Sequence, residues 1–272
     1  MSREAEVIAR TGDQPITIDR LVADFRRLGI KPGGVLMVHA SLSAIGWVVG
    51  GPQAVILALR AAVGEAGTLV MPTHSGEWSD PAPWENPPIP GAWWPAVREH
   101  WPAFDPDVTP TREVGVVAET FRAMPSTVRS KHPQVSVAAQ GPQAHEIVRD
   151  HPLPFGFGAG SPYEKLYEID AEVLLLGVGY DRCSVLHFAE NRVGPPRIPL
   201  RRESFPVLIE SVARRVEVDD LDHDADRFPD IGLSFENQNG RSVIHGDIGL
   251  APSRLIKDTK QLVNHAILRL GQ

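Results

Sequence analysis

The segment Ala171–Arg192, AEVLLLGVGYDRCSVLHFAENR, is typical of a buried strand that runs into a helix. Residues 172–178 form an apolar, leucine-rich run, which favours a strand covered on both faces. Ser184 is a residue type that caps helices, and the Gly-Pro-Pro sequence at Gly194 ends the helix. Open α/β sheets bind their ligands beside the carboxyl ends of their strands. The segment therefore predicts an α/β fold with a site at the turn between strand and helix.

Two titratable side chains stand on this predicted helix. His187 and Glu190 are three residues apart, which places them on one helix face and within reach of each other. The first turn of a helix disfavours an imidazolium ion, whereas a nearby carboxylate favours it and can fix the imidazole tautomer. The pair therefore predicts a general base with its orienting partner. A surface helix with one ion pair is the alternative for this spacing taken alone.

Length and composition limit the functions that are compatible with this chain. With 272 residues, 42% of them hydrophobic, we expect a single α/β domain over 1–272 with insertions. The net charge of -7 argues against nucleic acid as a partner and is compatible with a cationic ligand. One cysteine, Cys183, excludes a disulfide framework within the monomer.

The beginning of the chain and its hydropathy predict a cytoplasmic location. The sequence MSREAEVIARTGD carries charges where a signal peptide needs an apolar core. No apolar run approaches the length of a membrane span, so we expect no membrane partner.

Two further predicted strands end in polar loops that contain histidine. Val35–Val38 leads into the sequence HASLS, and Thr68–Met71 leads into Pro72 and then Thr73 and His74. Repeated histidine-bearing loops at strand ends are what a site at one sheet edge would produce. The residues of HASLS are His39, Ala40, Ser41, Leu42 and Ser43.

A glycine-rich turn precedes the helix predicted at Gln53–Val63. The turn contains Val49, Gly50 and Gly51, and Pro52 is suited to the first helical turn. Backbone N–H groups at such a helix start can bind an anion. The turn has neither Walker A nor GxGxxG spacing, so this motif alone is a weak signal.

Three other regions allow more than one interpretation. The segment Gly76–Pro110 holds five of the six tryptophans and is either a lid over a pocket or an aromatic-pinned surface loop. The acidic run Glu217–Asp230 is either a solvated loop or a feature that attracts a polyamine. Residues 211–219 favour antiparallel strands or a hairpin, and residues 253–270 an amphipathic helix.

Seven motifs in register resemble the aminoglycoside 3-N-acetyltransferases, over about Ile16 to Leu270. This resemblance implies a three-layer α/β/α sandwich of the family's type. The residues themselves add a Trp/Pro-rich insertion at 76–110, which matches the family least well, and a C-terminal mixed α/β portion. The resemblance also implies acetyl transfer from acetyl-CoA to the 3-amino group of the 2-deoxystreptamine ring of an aminoglycoside. The motifs are HASLS, GWVVGGPQAVILAL, GTLVMPTHS, RSKHPQVSVAAQGP, GSPYEKLYEIDAEVLLLGVGYD, LHFAE and FPDIG.

The resemblance assigns roles to individual residues. His187 and Glu190 match the family's HxxE and are expected in the catalytic site, with Ser184 close to them. The HASLS loop, the VVGG turn and the RSKHP segment, which contains Ser130 and His132, are expected to line the coenzyme site. The candidates for contacts to the acceptor are Thr73, His74, Asp181 and Glu236.

The reaction places demands that these residues can meet. An ammonium group cannot attack a thioester until it loses a proton, and a neutral imidazole such as His187 can accept that proton. The developing oxyanion needs donors, for which the backbone N–H groups of HASLS and the hydroxyls of Ser41 and Ser184 are candidates. Acetyl-CoA is the expected cosubstrate without a metal ion, and a homodimer is one expectation for the oligomeric state.

Several rival interpretations stay open at this point. Cys183 lies four residues before His187, so a thiolate–imidazole pair and a covalent acetyl-enzyme are conceivable. A metal-dependent hydrolase could gather histidines at strand ends, although no HExxH or CxxC spacing supports it. The chain could also acetylate a different amine, or bind coenzyme A without transferring a group. The ligands of the hydrolase alternative would be His39, His74, His132, His187 and Glu190.

Overall fold

A computed structural model describes residues 2–272, which form a mixed sheet with helices on both faces. The sheet order is β3-β4-β2-β1-β5-β9-β8, and β6 and β7 form a separate two-stranded ribbon. The strands are β1 (Val35–Ala40), β2 (Thr68–Pro72), β3 (Val128–Arg129), β4 (Val137–Gln140), β5 (Glu172–Leu176), β6 (Leu200–Ile209), β7 (Val212–Leu221), β8 (Val243–Ile248) and β9 (Ala251–Ile256).

Eleven α-helices accompany these strands in the part of the chain that the structure describes. They are α1 (Arg3–Thr11), α2 (Ile18–Leu28), α3 (Leu42–Ile45), α4 (Gly51–Val63), α5 (Trp94–His100), α6 (Gly115–Arg122), α7 (Ala144–Val148), α8 (Pro162–Glu168), α9 (Leu186–Val193), α10 (Phe228–Gln238) and α11 (Thr259–Leu270).

The centre of the sheet is parallel. Strand β1 pairs in parallel with β2 on one side and with β5 on the other. The flanking pairs β2–β4 and β5–β9 are antiparallel. Because β1, β2 and β5 point the same way, their carboxyl ends share one edge of the sheet. The connection after β1 leads to β2 and the chain later returns to β5 on the other side, which makes this edge the expected ligand crevice.

Alternating side chains give the sheet two apolar faces, which confirms the predicted three-layer sandwich. On one face Leu36 and Val38 of β1 pack with helices α2, α4 and α6. On the other face Met37 packs with helices α8, α9, α10 and α11. The side-chain period of two in a strand places successive residues on opposite faces, so both faces of the sheet become core.

Strand β5 and the helix after it differ in detail from the prediction. The strand stops at Leu176 because Gly177 has φ +65°, and a Cβ there would lie 2.5 Å from Cβ of Ala44. The helix begins at Leu186, and the residue at its N-cap position is Val185, which makes no side-chain capping hydrogen bond. The prediction of Ser184 as the helix cap is therefore wrong.

The ribbon and the tryptophan-rich segment form one assembly beside the sheet. Trp101 makes edge-to-face contacts with Trp78 and Trp84, at centroid distances of 5.5 and 5.3 Å. The N–H of Phe104 donates to the carbonyl of Pro206 in β6 over 2.8 Å. The segment Gly76–Pro110 is not a continuous loop, because it contains helix α5.

Two predictions about the second half of the chain were also wrong. The acidic run 217–230 is not a loop throughout, since β7 extends to Leu221 and α10 begins at Phe228. The helix expected at 253–270 is divided into β9 and the shorter α11. None of the helices within residues 2–272 combines the length and apolar composition that crossing a membrane requires.

Candidate active site

A cleft of about 1760 Å³ opens at the carboxyl ends of β1, β2 and β5. Residues from all three strand ends meet in it, as expected for the topological switch point of an open sheet. The predicted site residues that line the cleft are His39, Ala40, Ser41, Leu42, Ser43, Gly51, His74, Asp181, Ser184 and His187.

His187 and Glu190 form a close pair at the floor of the cleft. The two side chains project from the first and second turns of α9, and Nδ1 of His187 lies 2.6 Å from Oε2 of Glu190. The side chain of His187 is 17% exposed, whereas that of Glu190 is 2% exposed. The other carboxylate oxygen of Glu190 accepts the backbone N–H of Asp224 over 3.0 Å. With Nδ1–H donating to this fixed carboxylate, Nε2 of His187 keeps its lone pair.

Burial governs the protonation of the pair. Removal from water lowers the pKa of His187, since burial penalises the imidazolium ion. The same effect raises the pKa of Glu190, although the N–H of Asp224 and the nearby His223 ring oppose it. A neutral imidazole at neutral pH is the state that a general base requires.

Aromatic rings surround His187. Phe157 and Phe228 lie 4.5 and 4.8 Å from its ring, and the ring of His223 lies 5.3 Å away. Asn191 donates both to the carbonyl of His187 over 3.1 Å and to Nε2 of His223 over 3.0 Å. The sequence analysis did not identify Phe157 or His223. His223 lies within the acidic run 217–230, and a histidine among many carboxylates has the sequence pattern of a solvated surface residue.

His74 has a defined tautomer. Its Nε2 lies 2.8 Å from the hydroxyl of Tyr163, and that hydroxyl donates to the carbonyl of Val135 over 3.2 Å. Because the hydroxyl proton is engaged, Nε2–H of His74 donates to the tyrosine oxygen. Nδ1 of His74 is therefore an acceptor.

His39 contributes a second imidazole with unused bonding capacity. The residue is 5% exposed and ends β1 at the cleft, and its Nε2 is buried without a hydrogen-bond partner among the described residues. Burial lowers the pKa of His39 to about 3, so the ring is neutral. An unpaired buried ring nitrogen is costly unless a ligand group satisfies it.

Other predicted site residues lie outside the cleft. Ser130 and His132 are buried below it, where Ser130 bonds His151 over 2.8 Å and His132 accepts two backbone N–H groups. Thr73 is buried with its hydroxyl 3.2 Å from that of Ser136. Glu236 pairs with Arg254 and His245, and Val49 and Gly50 are exposed beside the cleft.

Comparison with known proteins places this geometry in a family. A family model described as aminoglycoside 3-N-acetyltransferase matches residues 37–270. The chain belongs to the aminoglycoside 3-N-acetyltransferase family. It is 40% identical over 247 residues to the SPbeta prophage-derived aminoglycoside N(3')-acetyltransferase-like protein YokD of Bacillus subtilis strain 168, covering 90% of this chain and 89% of that one. It is 45% identical over 194 residues to aminoglycoside N(3)-acetyltransferase VIII of Streptomyces fradiae, covering 71% and 66%.

Solved structures of this acetyltransferase family confirm the fold. The crystal structure of YokD superposes with a TM-score of 0.93 at 38% identity, covering 97% of this chain and 96% of that one. AAC-IIIb, whose structure is a binary complex with CoASH, gives 0.83 at 31% identity, covering 94% and 97%. AAC-VIa bound to sisomicin gives 0.81 at 31% identity, covering 94% and 98%.

Acetyl-CoA is the cosubstrate of this acetyltransferase family, and the cleft fits it. The HASLS loop lines the cleft together with Gly51, at the start of the 13-residue helix α4. The orphaned Nε2 of His39 lies at the end of β1 in the same cleft and could be satisfied by a polar group of the ligand. Among residues 2–272, no group of three or more His, Cys, Asp and Glu side chains is arranged to hold a metal ion.

The walls of the acetyltransferase cleft stand on opposite sides of β1. The wall formed by α1 and α3 joins the β9 side, where the N–H of Leu250 donates to the carbonyl of Ile45 over 2.9 Å. The wall formed by the segment 76–110 joins the β3 and β4 side, where Arg129 donates to the carbonyl of Thr109 over 2.5 Å. We call them the α1 wall and the tryptophan wall.

The two walls carry different charges. The tryptophan wall places Glu77 and Glu85 along the cleft, and the buried Oε2 of Glu77 lacks a hydrogen-bond partner among residues 2–272. In the α1 wall, Arg3 and Arg10 donate to the side chain and the carbonyl of Ser43. Ser43 is neutral, and neither arginine is in an ion pair among the described residues, although Glu4 of the same helix also lines the cleft.

Cys183 is separate from this machinery. It is fully buried beneath the turn that follows β5, and burial raises the pKa of its thiol to about 12. A thiol with such a pKa carries almost no thiolate at neutral pH, and thiolate is the nucleophilic form.

Proposed function

We propose that this protein transfers the acetyl group of acetyl-CoA directly to the 3-amino group of the 2-deoxystreptamine ring of an aminoglycoside, with His187 as general base. The observation that carries the proposal is the 2.6 Å contact between Nδ1 of His187 and Oε2 of Glu190 within the cleft. It assigns the proton of the neutral ring to Nδ1 and leaves Nε2 as the proton acceptor.

His187 and Glu190 divide the work of proton transfer. His187 takes the proton that the acceptor amine loses as its nitrogen bonds to the acetyl carbon. Glu190, held by the N–H of Asp224, then stabilises the imidazolium ion through Nδ1–H. Since the buried ring disfavours this charge, loss of the carboxylate would leave His187 a weaker base.

The charge that develops on the acetyl oxygen needs a donor from the chain. The backbone N–H of Ser41 is engaged with the carbonyl of Leu176 over 3.0 Å, so it is not free for this role. The hydroxyls of Ser41 and Ser184 both belong to cleft-lining residues, and Ser184 immediately precedes the turn into α9. We assign the role to Ser184, because its carbonyl accepts the N–H of His187 over 3.1 Å, which holds the residue next to the base.

The acceptor is assigned to the side of the tryptophan wall. Aminoglycosides are polycations, and the carboxylates of Glu77 and Glu85 can form charge-assisted hydrogen bonds with ammonium groups. Nδ1 of His74 adds a neutral acceptor for a hydroxyl or ammonium hydrogen. Asp181 also lines the cleft, but it is paired with Arg182 over 3.1 Å.

A thiol-release assay tests this proposal. Purified protein would be mixed with acetyl-CoA and a panel of gentamicin-like, kanamycin-like and neomycin-like aminoglycosides, with simple amines as comparison. We expect thiol release with some aminoglycosides and none with simple amines. Mass and NMR analysis of the product should place the acetyl group on the 3-amino nitrogen. Coenzyme binding without release across the panel would contradict the assignment of the acceptor and point to a different amine.

The cellular setting stays a prediction. We expect a cytoplasmic enzyme without nucleic-acid or membrane partners, because its cosubstrate is a metabolite and its net charge is -7. A homodimer is one expectation for the assembly. Sedimentation with and without coenzyme A would test the oligomeric state.

A further inference from the structure

Helix α1 lines the cleft although it lies outside the residues matched by the family model. Arg3, Glu4 and Val7 line the cleft, and Arg10 follows one turn after Val7 on the same side of the helix. The hydroxyl of Thr11 accepts the backbone N–H of Trp47 over 2.7 Å. The helix is thereby attached to the turn that leads into α4.

The two arginines of α1 converge on one serine. Nη2 of Arg3 lies 3.1 Å from Oγ of Ser43, and Nη2 of Arg10 donates to the carbonyl of the same residue. A guanidinium group has five N–H donors, so each arginine retains several for a further partner. Two cations at one neutral serine repel each other, and an anion between them would relieve that repulsion.

The position of Arg3 does not serve the helix itself. It is the first residue of α1, at the positive end of the helix dipole, where a cation is unfavourable. Helix stability therefore does not explain the arginine, whereas recognition of an anion at the cleft does.

The turn beside α1 offers two further features that suit a nucleotide. Gly50 and Gly51, with φ of +83° and +56°, begin α4. The positive end of the α4 dipole favours an anion, although the N–H of Gly51 itself donates to the carbonyl of Val48 over 3.0 Å. Trp47 lines the cleft and is 37% exposed, which presents an aromatic surface for a purine.

We propose that Arg3 and Arg10 bind the phosphate groups in the nucleotide part of coenzyme A. The inference rests on the proposed function in that acetyl-CoA is the donor, but it does not depend on the identity of the acceptor. Coenzyme A carries a pyrophosphate and a 3'-phosphate at one end and its thiol at the other. Helix α1 is then the element that distinguishes a nucleotide-bearing donor from one that carries only the pantetheine arm.

Direct titration calorimetry of the full chain tests the proposal. The ligands would be coenzyme A, adenosine 3',5'-bisphosphate and pantetheine, and the variants Arg3→Gln and Arg10→Gln. We expect each variant to raise Kd for coenzyme A about tenfold, as loss of a charge-assisted hydrogen bond does. The Kd for adenosine 3',5'-bisphosphate should rise by a similar factor, whereas the Kd for pantetheine should stay unchanged.

A matched control and a conservative variant separate recognition from folding. Arg241 is an exposed arginine in the turn just before β8 and outside the cleft, and Arg241→Gln should leave all three Kd values unchanged. Arg3→Lys keeps the charge and should bind coenzyme A several-fold more tightly than Arg3→Gln. Lysine binds phosphate as a point charge, so recovery without full restoration is expected.

Three outcomes would overturn the proposal. The first is an equal rise of the Kd values for pantetheine and coenzyme A, which would mean that α1 only supports the conformation of the HASLS loop. The second is unchanged binding of coenzyme A in both glutamine variants, and the third is an Arg3→Lys variant as weak as Arg3→Gln. Because no acceptor is present in these titrations, failure of the proposed acetylation would appear only in the thiol-release assay.

Discussion

The α1 wall and the tryptophan wall enclose one cleft but bring opposite charges to it. Arg3 and Arg10 lie in the first, and Glu77 and Glu85 in the second. Between them lie the neutral imidazoles of His39, His74 and His187. The arrangement suits two substrates of opposite charge, a polyanionic donor and a polycationic acceptor, which meet at an uncharged centre.

The difference between the walls shows how a protein of net charge -7 can bind a polyanion. The overall charge favours the cationic acceptor, whereas the guanidinium groups of Arg3 and Arg10, which converge on Ser43, offer local positive charge to the donor. Screening limits such fields to about 10 Å at ordinary ionic strength, so the two walls act independently. The predictions below test the centre first and then the walls.

Changes at His187 should have the largest effect. His187→Ala should lower kcat about 10²- to 10⁴-fold, the usual contribution of a general base, with little change in Kd for coenzyme A. Thiol release and calorimetry would measure the two quantities. A parallel loss of coenzyme binding would instead make His187 a binding residue.

The pH profile should depend on Glu190. Burial raises its pKa to about 7, so the His187–Glu190 pair takes up a proton as pH falls through about 7, and kcat/KM should fall there. Glu190→Gln should lower kcat about tenfold to a hundredfold at pH 8 and remove this acid limb, because burial keeps His187 neutral. An unchanged limb in Glu190→Gln would show that another group titrates.

The uncharged centre should make the fold sensitive to acid. Burial lowers the pKa of six histidines in and beneath the cleft, besides that of His265 on α11, so below pH 6.5 the unfolded chain binds protons that the native chain does not. Three carboxylates with raised pKa values, Glu190, Glu203 and Asp220, oppose this, because the native chain binds protons there first. The histidines are His39, His74, His132, His151, His187 and His223.

The six histidines outnumber the three carboxylates, so the free energy of unfolding should decrease as pH falls from 6.5 to 4.5. A net difference of about three protons, reached where all three carboxylates are protonated in the native chain, corresponds to ~4 kcal/mol per pH unit. Urea unfolding at pH 6.5, 5.5 and 4.5 would measure the slope. A free energy of unfolding that stays constant or increases over this range would contradict the neutral centre.

Changes in the tryptophan wall should act on the acceptor alone. Glu77→Gln and Glu85→Gln should each raise KM for an aminoglycoside about three- to tenfold, with kcat and the Kd for coenzyme A nearly unchanged. Glu99→Gln is the matched control, because Glu99 lies on α5 in the same segment with its side chain 75% exposed and outside the cleft. An equal rise of KM in all three variants would show that Glu77 and Glu85 do not contact the acceptor specifically.

Cys183→Ala should have the smallest effect. A covalent acetyl-enzyme would need its thiolate, but burial raises the thiol pKa to about 12. We expect kcat to stay within about threefold of the unsubstituted chain, with a modest loss of stability from the small cavity. Loss of nearly all turnover in a folded variant would instead support a mechanism through a covalent acetyl-enzyme on Cys183.

The sequence was sufficient for the sheet and for the residues that follow its central strands. Apolar runs bounded by glycine predict β1, β2 and β5 within one or two residues, and the i, i+3 spacing brings His187 and Glu190 together. These features depend on local periodicity, which one sequence records. The resemblance to the family added the reaction and the coenzyme.

The walls were much less predictable. His223, which follows the ribbon, and Phe157, in a glycine-rich loop, both contact His187. Arg3 reaches the cleft on a helix that has no buried residues. Contacts between segments far apart in the chain leave no periodic signal. Glu236 was expected at the acceptor because it is acidic, but its ion pairs hold it on α10 instead.

The attachment of the tryptophan wall to the ribbon has an evolutionary consequence. Phe104 bonds β6, and Arg215 of β7 donates to the carbonyl of Ser204 and to that of Ser79. The wall is thus supported by a ribbon that forms no part of the seven-stranded sheet. Substitutions in the tryptophan wall can therefore alter contacts to the acceptor without changes to the seven-stranded sheet, whereas the end of the ribbon is constrained, because His223 contacts His187 there.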